Sequence, residues 1–484
     1  MTQIKFLVII DSKKSKIMKG FLFSIALIYS TICFASSVDT IPANNSFIEY
    51  TGRIDFSNLL APKFSYSGVS VRASFQGTSI SILLNDEGSS NEYNVIVDNV
   101  IKRIKVSKGL TLYPIVSGLA DTVHEIEIFR LTELTFGKTT FNGFIVDKGK
   151  NLVAISNQRL QVIEYIGNSI TCGYGNEGSL GGTFGPTTEN HYLTYAAINS
   201  RNFNARHLAV CRSGIGIYRN YGDLITGSTD CMTNDYSRIF LYDSNPIYNF
   251  QLKPDLICID LGTNDFSTTG GDSARYVNKY FSFIDSLQLK NKQTDILVLL
   301  GPMLSDPDLS NVRRYLKFIV DSVNKKKSGK LYFFEMSQQS GAIGIDYHPT
   351  VAQHKKNGLE LTEFIKSIKG WKINPLLINA NVINPNHIQL EFNTSVSDSL
   401  NAFSGFSIYG SSTQYNINSA FSDTINKKLI HIILQQSISV GEQINLNYTP
   451  KTLKSMGSTL VGAIYSFPVQ NNLTATKLTK GNNN

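Results

Sequence analysis

Between residues 158 and 370, short apolar runs alternate with long amphipathic ones, and this alternation constrains the fold more than any other feature of the chain. QVIEYIG (161–167), DLICIDLG (255–262), DILVLLGP (295–302) and KLYFFEM (330–336) are almost unbroken apolar runs. Such strands are buried on both faces, as in a parallel sheet covered by helices. The intervening segments HYLTYAAINSRNF, ARYVNKYFSFIDSLQLK, NVRRYLKFIVDSVNKKK and HKKNGLELTEFIKSIKGW carry helical periodicity. A three-layer α/β/α domain with a parallel sheet is therefore predicted over 158–370. Ligands of such sheets bind at the carboxyl ends of the strands.

The flanking zones have a different period. Residues 45–150 contain GVSVRASF, TSISILL, YNVIVD, HEIEIFRL and FNGFIVD, separated by Gly, Asn, Asp and Ser. This predicts an N-terminal β-sandwich without a long helix. After Trp371 the helical pattern stops, and NANVINPNHIQLEFN, FSGFSIYG, KLIHIILQQSI and INLNYTP predict a second, Ig-like β-sandwich over 373–475, followed by a polar tail. No internal repeat of fixed period is present.

Residues 1–36 read as a signal peptide: lysines, an apolar stretch from Phe21, then small residues around Ala35–Ser37. Met1 and Met18 each provide a start for it. The apolar run is short for a membrane span, so no stable membrane insertion is expected. A secreted or periplasmic bacterial protein is predicted. Cys33 lacks the small preceding residue of a lipid-bearing cysteine, so lipoprotein anchoring is not expected. The formal charge is +8, but residues 1–36 hold five lysines against one aspartate, which leaves about +4 for the rest. Those charges are scattered, and nucleic acid is excluded as a partner.

Of five cysteines, Cys172, Cys211, Cys231 and Cys258 follow the leader. Their spacing matches no zinc pattern, and neither metal nor cofactor is predicted. Cys258 lies in an apolar strand and reads as core. A Cys211–Cys231 bridge is one option in an oxidising compartment.

Four residues fall just after strands, where chemistry is expected. Ser169, in IGNSITCGYGNEG, offers a hydroxyl at the sheet edge, although the G-x-S-x-G elbow is absent. Gly214, in CRSGIGIYRNYG, offers a bare backbone N–H. Asn264, in DLGTNDF, offers a neutral amide donor of the kind that stabilises an oxyanion. His348, in IDYHPT, lies in a proline-restrained loop 179 positions after Ser169, a separation that a spatial pair tolerates. Each feature alone is also an ordinary turn. Of the other histidines, His191 and His207 read as surface or capping groups, and His354 as the start of the last helix. The glycine-rich segment 172–190 is long for a connection inside an α/β domain, and carries Tyr174, Glu177 and Phe184. Tyr218 and Tyr221 are candidates to stack on a ring, or to pack against the N-terminal sandwich.

Taken together, the four motifs resemble those of the GDSL/SGNH hydrolase superfamily. Within it, IGNSITCGYGNEG, SGIGIYRNYG, LGTNDFST and DYHPT are similar to carbohydrate esterase family 2, over about residues 45–370. The resemblance implies a jelly-roll-like N-terminal sandwich before the hydrolase domain. It implies Ser169 as nucleophile and His348 as general base, with the Ser169 N–H, Gly214 N–H and Asn264 side chain as oxyanion hole. Tyr174, Glu177, Tyr218, Tyr221, Asp265 and Tyr347, read from their places in the sequence, are the candidate substrate contacts. Two positions depart from the superfamily pattern. Asn168 stands where an aspartate is usual before the serine, and Ile345 occupies the place of the acid three before the histidine. Asp346, two before it, is the third catalytic candidate, with a backbone carbonyl as the other possible support. The implied activity is removal of acetyl groups from plant polysaccharide or oligosaccharide of xylan or mannan type. An esterase or thioesterase acting on a small or lipid acyl ester, and a non-catalytic glycan-binding protein, remain as alternatives.

Overall fold

The computed structural model describes residues 38–474, apart from residues 269, 327–329, 399–403 and 463. The signal-like segment and the polar tail from residue 475 lie outside the described residues. At the centre is a five-stranded parallel sheet. Its strands run Arg206–Cys211, Val162–Gly167, Leu256–Asp260, Asp295–Leu300 and Leu331–Glu335 in spatial order.

Side chains alternate between the two faces of this sheet. Ile163, Tyr165, Leu256, Cys258, Leu297 and Leu299 pack against the helices Tyr195–Asn202 and Val351–Lys369. On the opposite face Ile166, Val210, Ile257, Ile259, Ile296 and Val298 join the helices Ser273–Lys290 and Asp308–Lys326. Burying each such aliphatic side chain stabilises the fold by about 1.5–3 kcal/mol. That is the physical origin of the two-sided apolar runs. The register sets Gly167 beside Cys211 on one side and Asp260 on the other. The loops that begin at 168, 212 and 261 therefore leave the sheet side by side, at its carboxyl edge.

N-terminal to this domain stand two six-stranded antiparallel sheets. The one helical element among their described residues is a single 3-10 turn at Leu134–Phe136. Arg53 extends from them into the parallel-sheet domain. It is fully buried, pairs with Glu164 at 2.9 Å, and lies over the rings of Tyr248 (4.0 Å), Tyr236 (4.7 Å) and Phe250 (5.0 Å). The two domains consequently share one continuous apolar core. After the Val351–Lys369 helix come two four-stranded antiparallel sheets and a two-stranded one, with a separate core that includes Ile388, Leu390, Ile430, Ile432 and Leu446.

Two expectations are corrected. His191 and His207 are not surface groups: both are buried, and their Nε2 atoms share a hydrogen bond of 2.8 Å. His207 Nδ1 contacts the Ser200 hydroxyl at 2.8 Å. Burial pushes His191 down to about 4 and His207 well below its usual range, so the pair stays neutral. Sequence proximity to a helix hid this, because the partners come from different elements. Cys211 and Cys231 are free buried thiols rather than a bridge, and the Cys231 thiol donates to the Ser228 carbonyl at 3.1 Å. No helix among the described residues is long and apolar enough to cross a membrane.

Candidate active site

The strand Val162–Gly167 delivers the chain to Asn168, which caps a single-turn helix, Ser169–Cys172. Asn168 Oδ1 accepts the Ile170 N–H at 2.9 Å, and its carbonyl accepts the Cys172 N–H at 3.0 Å. Asparagine thus does the capping for which a carboxylate is not needed. Ser169 is held at the first position of the turn, its carbonyl accepting the Gly173 N–H at 2.9 Å and the Tyr174 N–H at 3.1 Å.

Ser169 Oγ lies 2.7 Å from His348 Nε2. The other ring nitrogen, Nδ1, lies 3.1 Å from the Ile345 carbonyl and 3.0 Å from the Asp346 carbonyl. A carbonyl can only accept, so Nδ1 carries the proton and Nε2 is left to accept from the serine. Burial pulls His348 below the usual histidine range, opposed by the two carbonyls.

The Asp346 carboxylate is placed elsewhere. It accepts the Tyr174 hydroxyl at 2.7 Å, and Asp346 itself is exposed. The reason is backbone geometry. Asp346 (φ 49°) and Tyr347 (φ 66°) are both left-handed, a conformation unusual for residues with a side chain. This double turn brings two main-chain carbonyls under the imidazole and aims the carboxylate away from it. Of the two supports left open by the sequence, the geometry supplies the backbone.

Gly214 and Asn264 face the same corner. Gly214 (φ 79°) accepts the Tyr221 N–H at 2.9 Å through its carbonyl, and its own N–H donates to no group of the described protein. Asn264 is the second residue of a single turn, Thr263–Phe266, and donates one amide hydrogen to the Ile215 carbonyl at 2.8 Å. That bond fixes the amide and leaves its second hydrogen available. The Ser169 N–H, Gly214 N–H and Asn264 Nδ2 are thus contributed by the loops after three adjacent strands.

The remaining candidates divide. Tyr174 stacks on Phe184 with ring centres 3.6 Å apart, and its ring lies 4.4 Å from that of His348. Tyr221 and Tyr347 are exposed, one bonded to Gly214 and the other next to His348. Two candidates, Tyr218 and Asp265, are turned inward, while Glu177 is exposed. Tyr218 is buried, with its hydroxyl accepting the Asp272 N–H at 2.7 Å. Asp265 is buried, and its carboxylate accepts the N–H groups of Ile217, Tyr218 and Arg219 at 2.9–3.1 Å. Burial pushes that carboxyl up to about 6 against those three donors. Glu177 is tied to Arg103 of the N-terminal sandwich. Sequence reasoning missed Glu133, whose carboxylate reaches this region from the other domain; no local pattern in the sequence announces it.

Residues 50–155 match the family model "Carbohydrate esterase 2 N-terminal", and residues 163–361 match "GDSL-like Lipase/Acylhydrolase". Cellulase/esterase CelE of Acetivibrio thermocellus is 36% identical over 342 residues, which cover 70% of this chain. The match spans 41% of that relative's length. An acetylxylan esterase / glucomannan deacetylase of Cellvibrio japonicus is 25% identical over 71% of this chain and 94% of its own length. The solved structure of a family two carbohydrate esterase from Clostridium thermocellum, in complex with cellohexaose, superimposes with a TM-score of 0.63. It is 35% identical, over 67% of this chain and 99% of that one. With both matched domains in order and a relative of this identity covered almost whole, the chain belongs to carbohydrate esterase family two.

Proposed function

We propose that the protein removes acetyl groups from carbohydrate hydroxyls by two-step acyl transfer through Ser169. The observation that carries this reading is the 2.7 Å contact between Ser169 Oγ and His348 Nε2, with Nδ1 on main-chain carbonyls. His348 takes the serine proton as Oγ attacks the ester carbonyl, then passes it to the departing sugar oxygen. Water repeats the sequence on the acyl-serine and releases acetate. The tetrahedral oxyanion is met by the Ser169 N–H, Gly214 N–H and Asn264 Nδ2, groups of fixed orientation and no net charge. Loss of one such donor costs roughly 3–4 kcal/mol of transition-state stabilisation.

The substrate side of the reading rests on chemistry and kinship. Tyr221, whose N–H meets the Gly214 carbonyl, and Tyr347, next to His348 in the chain, are both exposed and suit the faces of sugar rings near the ester. The relatives are named for acetylxylan and glucomannan, and an acetylated plant polysaccharide or oligosaccharide of that type is the substrate proposed here. A basic, then apolar N-terminal segment supports export from a bacterial cell. The C-terminal sheets are read as an Ig-like module.

The test is acetate release from a panel of acetylated xylan, acetylated glucomannan and longer-chain p-nitrophenyl esters. Turnover of the acetylated glycans that disappears in Ser169→Ala is expected. Preference for long acyl chains, or turnover that survives in Ser169→Ala, contradicts the reading.

A further inference from the structure

Glu133 belongs to the N-terminal sandwich, where it precedes the 3-10 turn Leu134–Phe136. Its side chain leaves that domain. Oε2 accepts the Ser213 N–H at 2.9 Å and the Cys172 thiol at 3.7 Å, and the residue is 1% exposed. Its own N–H donates to Glu189 Oε2 at 2.8 Å. Glu189 is fully buried, and its second oxygen has no partner in the described protein.

Three segments that build the site therefore converge on one buried acid. Cys172 ends the turn that Ser169 begins. Ser213 immediately precedes Gly214. Glu189 lies at the end of the segment that carries Tyr174 and Phe184. Burial pushes both carboxyl groups upward, and two adjacent buried acids are costly to keep. Acyl transfer through Ser169 uses neither of them. Their placement has another consequence. Fixing the Ser213 N–H anchors the Arg212–Ser213 peptide, one unit ahead of the Ser213–Gly214 peptide, and so holds in place the turn that aims the Gly214 N–H. An oxyanion donor contributes only when it is oriented before charge develops.

We propose that Glu133 is a positioning residue for the oxyanion hole, supplied by the N-terminal domain, so that the site is incomplete without that domain. The proposal rests on the Ser169–His348 reading.

The test compares full-length Glu133→Ala and Glu133→Gln with the parent chain. It measures kcat and KM on p-nitrophenyl acetate, inhibition by phenylboronic acid as a tetrahedral mimic, and thermal unfolding. Glu133→Ala is expected to lower kcat about tenfold or more with KM within about threefold, and to weaken the boronic acid by a similar factor. Glu133→Gln keeps an oxygen that accepts from Ser213, and is expected to recover kcat to within about threefold of the parent. Unchanged kcat in Glu133→Ala overturns the proposal. So does a loss that follows only the fraction of folded protein, or a Glu133→Gln variant as impaired as Glu133→Ala. Ser169→Ala is the separate control: full activity there removes the acyl-transfer reading itself, whatever Glu133 does.

Discussion

Asp346 and His348 are two positions apart, yet the chain turns between them so that the carboxylate meets Tyr174 and the imidazole meets main-chain carbonyls. A triad acid contributes about 10⁴ in kcat when its carboxylate holds the histidine. Here that carboxylate is not on the histidine, so Asp346→Asn is expected to keep kcat within about threefold of the parent in p-nitrophenyl acetate assays. In the proposed acyl transfer His348 also sets the pH response. The neutral imidazole is the form that takes the serine proton, and burial lowers its proton affinity. Activity should therefore persist below pH 6.5 and fall only as the pH drops through the depressed value. A kcat/KM profile with its acid limb above 6.5 contradicts this. Ser169, Gly214, Asn264 and His348 could be singled out in the sequence because each stands in a short motif, the first three just behind strands and the histidine ahead of the last helix. The support for His348 was not, since it depends on two consecutive left-handed residues that no composition signal marks.

At the scale of elements, the five parallel strands and the long helices follow from periodicity alone. The two site loops do not: their shape depends on contacts across the domain. Ile345 donates its N–H to the Gly175 carbonyl at 3.2 Å, which joins the glycine-rich loop to the turn holding His348. Gly175 has φ 60°, and a Cβ there would lie 2.6 Å from Ile345 Cβ. Gly175→Ala is therefore expected to displace the histidine turn and lower kcat at least about tenfold, since small misplacements at a reacting pair carry large rate losses. Stopped assays on the purified variant check it, with circular dichroism to show that the fold persists. Asp265 teaches the same lesson. In the sequence it stands beside Asn264 at a strand end and reads as a ligand contact. In the fold it is turned inward to satisfy three backbone N–H groups of the 217–219 segment, an obligation that only the tertiary structure reveals.

Across the whole molecule, the N-terminal sandwich is fastened to the hydrolase domain by buried polar links. Arg53 and Glu164 form one of them, with Tyr236 donating its hydroxyl to the other Glu164 oxygen at 2.6 Å. Removing one member leaves a buried charge without its partner. Arg53→Ala is accordingly expected to cost about 3–5 kcal/mol of stability, read as a lower midpoint for thermal inactivation of the full chain. A midpoint equal to the parent's contradicts a shared core. The sequence divides cleanly into β-rich and α/β zones, but nothing in it tells that the first zone reaches into the second through Arg53, Arg103 and Glu133.

In the proposed reaction Ser169, activated by His348, becomes the acyl carrier. This role is tested most directly by intact-mass and peptide mass spectrometry after treatment with diethyl p-nitrophenyl phosphate, which labels an activated serine at its oxygen. Complete loss of activity is expected with a single diethylphosphoryl group, on the peptide containing Ser169, and no label in His348→Ala. Inactivation with the label on another residue, or full activity in a chain labelled at Ser169, would contradict that role.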